Sequence, residues 1–155
     1  MGIQLDQSEI EDFLKNSHTL ILATLRKAGA PFMTPLWYVY LDGSLFVRTR
    51  AKSPKVQHIR RDPRVCCLLE EGEKWVDLKA VIINCNAEII QDDPDLEARV
   101  STAMGEKYSA FRTGSKAMPS ATKKHYSASS ALIRMTPEPE GIRSWYNRKL
   151  RGLGE

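Results

Sequence analysis

The segment Arg48-Thr49-Arg50-Ala51-Lys52-Ser53-Pro54-Lys55 places four cations and two hydroxyls within eight residues. Ser53 is a good helix N-cap and Pro54 suits the first helical position, so a helix starts here. The first N–H groups of that helix are free, and its dipole puts partial positive charge at this end. Its first turn holds no Asp or Glu. Each cation held near the dipole would cost about 0.3–1 kcal/mol. Two arrangements resolve the conflict. Either the segment is a solvated basic loop with its side chains turned away, or it holds an anion. A phosphate would take the helix N–H groups, the Thr49 and Ser53 hydroxyls, and contacts from the basic side chains.

Other reactive residue types are sparse. Cys66, Cys67 and Cys85 show no zinc spacing, and the expectation is small buried apolar side chains in a reducing compartment. His58 lies one helical turn after Pro54 and is expected to face solvent. His18 is expected to be structural. His125 and Tyr126 are candidate proton donors, but no protein general acid is compelled, and the catalytic residues stay open.

The elements that must position these groups follow from pattern. Asp6 to Asn16 reads as a helix with an Asp6/Glu9 capping box. Thr19 to Leu25 is a strand apolar on both alternating sets, so both faces are expected to be covered. Phe32 to Leu41 is a second strand, with Pro35 marking an edge or bulge near its start. Asp42-Gly43 is a hairpin turn returning into Ser44 to Thr49. Ser53 to Arg61 is a helix stopped by Asp62-Pro63. Strands follow at Arg64–Leu69 and Lys79–Gln91, then a helix at Pro94–Lys107 and one or two helical turns at Ala121–Ser127. A sixth strand spans Ala131 to Thr136, and Gly141 to Tyr146 is a further extended segment. Antiparallel strands with short interposed helices predict a mainly β protein, an antiparallel barrel rather than βαβ units.

The 155 residues suit one domain over 1–155. Apolar residues at 42% and charged residues at 27% are ordinary for a globular chain. No run reaches the roughly 18 apolar residues of a membrane span, and the acidic N-terminus is not a signal peptide, so the expected location is cytoplasmic. A formal charge of +4 is too mild to argue for nucleic acid.

The stretch LFVRTRAKSPKVQHIRRDPRV resembles the phosphate-binding segment of the pyridoxamine 5'-phosphate oxidase-like, or flavin/deazaflavin oxidoreductase, superfamily. The match runs through Arg48, Thr49, Ser53, Lys55, Asp62, Pro63 and Arg64, with Pro54 in place of a frequent Arg. ILATLRKAGAPFMTPLWYV, DLKAVIINCNAEII and SWYNRKL extend the similarity from Thr19 to Leu150. The resemblance implies a six-stranded antiparallel split β-barrel. It also implies a homodimer with FMN or coenzyme F420 at the interface. The ring would lie near Pro35, Leu36 and Trp37, and the phosphate at Arg48, Thr49, Ser53 and Lys55. The partner subunit would contribute around Lys79, Trp145 and Arg148. The family's oxidases carry Arg-Gln where this chain has Lys79-Ala80. Arg50, Lys52, Arg60 and Arg61 would suit the longer anionic tail of F420.

The leading expectation is an oxidoreductase moving a hydride to or from a small conjugated substrate. A non-catalytic flavin or haem carrier on the same barrel is the alternative. An RNA-binding barrel is the third, and alternation argues against it by sending Tyr38 and Tyr40 to the face opposite Trp37. The C-terminal end lacks the Arg-Leu-His-x-Arg type motif of true pyridoxamine-phosphate oxidases. Tyr108, Arg112 and Ser115 only loosely mimic their substrate-phosphate pocket.

Overall fold

The structure is a computed structural model that describes residues 3–126 and 129–150, excluding the side chains at 115, 125 and 126. Seven strands form one antiparallel sheet: β1 (Leu20–Leu25), β2 (Pro31–Leu36), β3 (Val39–Leu41), β4 (Ser44–Arg50), β5 (Arg64–Glu71), β6 (Lys79–Ile90) and β7 (Ser130–Tyr146). Four α-helices accompany them: α1 (Gln7–Asn16), α2 (Pro54–Arg61), α3 (Pro94–Tyr108) and α4 (Ser120–Tyr126). No helix among the described residues is long and apolar enough to cross a membrane.

The sheet order is β2-β1-β5-β6-β7-β4-β3. Its two edge strands are therefore consecutive in the chain, separated by Trp37 and Tyr38. One segment starts beside β1 and ends beside β4, which draws the edges together into a split barrel. The expected count of six strands is corrected to seven for this reason. Phe32 to Leu41 is two strands, because Trp37 and Tyr38 leave the ladder where the segment changes partners. The expected sixth strand and the Gly141–Tyr146 segment are, conversely, one long strand. β7 bends where its register with β6 shifts between Ile83 and Cys85, which pair with Ile142 and Pro137. At this bend Glu140 has φ 58°. A Cβ on Gly141 would stand 2.7 Å from the Asn84 carbonyl oxygen, so the close backbone approach needs glycine.

Local chemistry agrees with the elements. Asp6 and Glu9 form the reciprocal capping box of α1. Asp42 and Gly43, both at positive φ, make the tight β3–β4 turn. Leu20, Leu22, Leu45, Val47, Cys67, Leu69, Val81, Ile83, Ile133 and Met135 fill the barrel, with Phe13 and Leu14 of α1 and Val56 and Ile59 of α2. A second core lies outside it, where Leu96, Val100, Met104 and Tyr108 of α3 pack on Val39, Phe46 and Leu132.

Two packing expectations change. In β1 the set Leu20, Leu22 and Thr24 is buried, but Ile21, Ala23 and Leu25 are half-buried, so only one face is fully covered. Cys67 and Cys85 are core residues, whereas Cys66 is half-buried on the outer side of the sheet.

Candidate functional site

Where β4 ends and α2 begins, adjacent side chains take opposite faces. Thr49 follows Leu45 and Val47 on the barrel side. Arg48 follows Phe46 toward α3. Its guanidinium donates to Ser130 Oγ (3.1 Å) and Ser101 Oγ (3.5 Å) and lies 3.8 Å from Glu97. Arg48 therefore ties β4 to α3 while remaining part-exposed.

Ser53 occupies the N-cap and Pro54 the first turn of α2, as expected, but the Ser53 side chain makes no capping bond. Its hydroxyl instead receives that of Thr49 at 3.4 Å. Ser53 is only 3% exposed, so it stands behind Thr49. The first turn of α2 contains no acidic residue. Lys55 is half-buried there, and among the described residues it makes no ion pair. Burial, and then the nearby Arg50, push its pKa below the usual lysine value. This corner joins a helix N-terminus, the Thr49 hydroxyl and an ammonium without a counter-charge, the donor set a phosphate takes. These residues fit the phosphate of a flavin-type cofactor.

His58 is not solvent-facing. Its Nδ1 lies 2.8 Å from the buried Thr24 hydroxyl, and its ring meets Phe32 edge-on at 5.4 Å. Burial, then Arg61, Arg26 and Lys55, lower its pKa. His58, the fifth residue of this short helix, packs back onto β1; helical spacing alone did not reveal which way α2 leans.

The ring-strand residues divide. Pro35 is exposed on the outer face, paired with Ile21. Leu36 packs against the barrel core. Trp37 lies flat on Tyr108, centroids 4.4 Å apart and 4° from parallel. The Tyr108 hydroxyl accepts from Tyr38 N–H (3.0 Å) and shares its hydrogen between the carbonyls of His18 (2.7 Å) and Tyr38 (3.0 Å). Tyr108 is thus committed to backbone groups, not open for a substrate phosphate. The next residue back, Lys107, donates to the Tyr38 carbonyl at 3.1 Å and sits 3.7 Å above the Tyr38 ring. Burial pushes its pKa down to about 8. Sequence reasoning passed over Lys107, which carries no motif.

Lys79, Trp145 and Arg148 cluster at the far end of β7. Lys79 pairs with Tyr146, reaches Glu71 at 3.5 Å, and lies 5.0 Å over the Phe13 ring. Trp145 pairs with Ala80 and so faces the opposite side of the sheet from Lys79. Arg148 is ion-paired with Asp77. Arg48 and Thr49 pair with Leu132 and Ala131, at the other end of the same strand. One chain therefore does not bring the two groups of candidates together. The side chains of His125 and Tyr126, and of Ser115, lie outside the described residues. Arg112 is exposed.

The pyridoxamine 5'-phosphate oxidase family model matches residues 7–143. The chain belongs to this family. A conserved hypothetical protein from Mycobacterium tuberculosis is 34% identical over 96% of this chain and 89% of its own, with a TM-score of 0.78. The haem storage protein HutZ from Vibrio cholerae has the same fold at 20% identity, covering 92% of this chain and 97% of its own, with a TM-score of 0.69. So does an FAD-binding protein from Mesorhizobium loti, at 20% identity, 91% and 94% coverage and a TM-score of 0.69. None of the curated proteins matches the sequence.

Proposed function

We propose that this protein binds FMN or coenzyme F420 and works as an oxidoreductase on a small conjugated substrate. The observation that carries the proposal is Lys55: a half-buried ammonium with no ion pair among the described residues, beside an uncapped helix N-terminus with no acid in its first turn. A phosphate supplies the missing charge and accepts the free donors. Thr49 faces the same corner, Ser53 backs it, and Arg48 and Arg50 add positive potential. When bound, the cofactor supplies the hydride chemistry; the protein supplies position, charge and exclusion of water.

The ring would run from this corner toward Pro35, Leu36 and Trp37, where the chain leaves β2. Trp37 is fixed by its stack on Tyr108, so it offers one edge and one face. The further cations Arg50, Lys52 and Arg60 favour a cofactor with a longer anionic tail, whereas Arg61 donates to the Leu25 carbonyl at 2.9 Å; the FAD-binding relative favours a flavin. Both cofactors remain in the proposal.

The working form would be a homodimer with the cofactor between copies. Its support is the division of the candidate residues between opposite ends of β7, which a second chain would close. A half-buried apolar row on the outer face, Ile21, Ala23, Cys66, Leu68 and Ile82, also needs cover. Ala80, Val81 and Ile83 do not, since they are already buried within one chain.

The haem-storage relative supports a second reading, a carrier without turnover. An absorption spectrum of the purified protein, followed by titration with FMN, F420 and haem, separates these. A flavin or deazaflavin complex that is reduced and reoxidised catalytically supports the enzyme. Binding of haem alone, or of neither flavin, overturns it.

A further inference from the structure

Lys55 and His58 stand three residues apart on α2, close to one helical turn, so charge held at the start of the helix is felt at the imidazole. The His58 ring is fixed between two strands. Its Nδ1 lies 2.8 Å from the hydroxyl of Thr24, which is only 1% exposed, and its edge meets Phe32. The neighbouring cations are fixed too. The Arg61 guanidinium donates to the Leu25 carbonyl at 2.9 Å, and that of Arg26 lies 5.2 Å from the centre of the same Phe32 ring. Their partners are a carbonyl and an aromatic ring, not carboxylates.

No acid answers this cluster. The helix α2, the strands β1 and β2 and the turn between them contain no Asp or Glu. Asp62, at the end of α2, is bound by Arg64 at 2.7 Å. The helix also packs on β6, whose barrel-side Ile83, Cys85 and Ala87 carry no charge and whose Glu88 is paired with Arg134. Burial, then the charges of Arg61, Arg26 and Lys55, therefore hold His58 below the usual imidazole pKa. A dianion beside Lys55 offsets that repulsion. Thr24 does not oppose the change, because its hydroxyl can donate to the neutral Nδ1 or accept from the protonated ring.

We propose that anion binding at the start of α2 is linked to protonation of His58: the protein takes up a proton there when a phosphate occupies the corner, and it holds a dianion more tightly as pH falls through the histidine range. Linkage makes the two effects one quantity. The cofactor reading supplies the identity of the phosphate; the linkage itself needs only the anion, Lys55 and His58.

The test follows the histidine ring protons of the full chain by NMR from pH 5 to 8.5, with His58 identified by its contact with the Phe32 ring. A phosphate monoester loses charge itself near pH 6, so the main probe is sulfate, a dianion throughout, with FMN and F420 beside it. Chloride at matched ionic strength controls for screening. Sulfate should raise the His58 midpoint by about half to one pH unit over chloride and leave His18 unmoved. Lys55→Ala should lose most of that movement. By reciprocity, sulfate should bind about three- to tenfold more tightly at pH 5.5 than at pH 8, beyond any change seen in His58→Gln. If sulfate moves the amide signals of Lys55 to Gln57 while the His58 midpoint stays at its chloride value, the linkage is wrong and the phosphate corner stands. If sulfate moves the midpoint but neither FMN nor F420 binds, the linkage stands and the cofactor reading fails. If no anion binds at the start of α2, both fall.

Discussion

Tyr108 holds Trp37 by its ring and the next residue, Tyr38, by its hydroxyl, so one side chain at the end of α3 fixes the point where the barrel closes. Tyr108→Phe keeps the stack but leaves the buried Tyr38 N–H without its acceptor. An unsatisfied buried donor costs about 1–3 kcal/mol. Urea unfolding should show a loss of that size with an unchanged slope, and a loss below about 0.5 kcal/mol would mean that water replaces the hydroxyl.

Lys55→Ala should weaken cofactor binding, and Arg48→Ala should weaken it less, because the Arg48 side chain is turned toward α3 on the face opposite Thr49. A charge-assisted hydrogen bond is worth about 1.5–3 kcal/mol, or roughly ten- to a hundredfold in affinity. Lys55→Ala should leave fold stability nearly intact. Arg48→Ala should also loosen α3, because Arg48 reaches Ser101 and Glu97. Titration with each cofactor beside thermal melts reads both effects. Unchanged affinity in both variants would put the phosphate elsewhere.

Lys107 should make stability depend on pH in an unusual direction. Its folded pKa is held near 8, below the usual lysine value of about 10.5. Between those values the unfolded chain binds a proton that the folded chain has released, so this group makes stability rise with pH. The slope is shallow because the side chain is partly in solvent. Urea midpoints for the parent and Lys107→Met, compared from pH 7.5 to 10, should show the parent gaining on the variant as pH rises; parallel curves would show that the ammonium is not desolvated.

Light scattering of the cofactor-loaded protein should give twice the 17.5 kDa of one chain. A mass near that of a single chain with cofactor still bound would rule out the interface cleft.

The FMN-loaded protein should not oxidise pyridoxamine phosphate. The Tyr108 hydroxyl, the group that would mimic part of the substrate-phosphate pocket, is spent on backbone groups of His18 and Tyr38. A site missing its polar partners loses turnover as well as affinity. Hydrogen peroxide that rises with pyridoxamine phosphate concentration would reverse this conclusion.

The sequence by itself determined the elements whose causes are local. The capping box of Asp6 and Glu9, the Asp42-Gly43 turn, and the Ser53-Pro54 helix start depend on neighbours a few residues away, and all three stand where the pattern put them. The motif around the α2 start was also legible, because it combines a cap, a proline and a run of cations in one stretch. Tertiary structure alone decided what depends on distant partners. The aromatic run from Phe32 to Leu41 reads as one strand, but β1 and β4 compete for it and Tyr108, 70 residues from Tyr38, holds the break. His58 reads as a surface residue until Thr24 meets its ring. Lys79 and Trp145 look like neighbours in one site, yet their register on β6 and β7 sends them to opposite faces of the sheet. In each case the pattern along the chain sets what a residue can do, and the strand or helix packed across from it sets what it does.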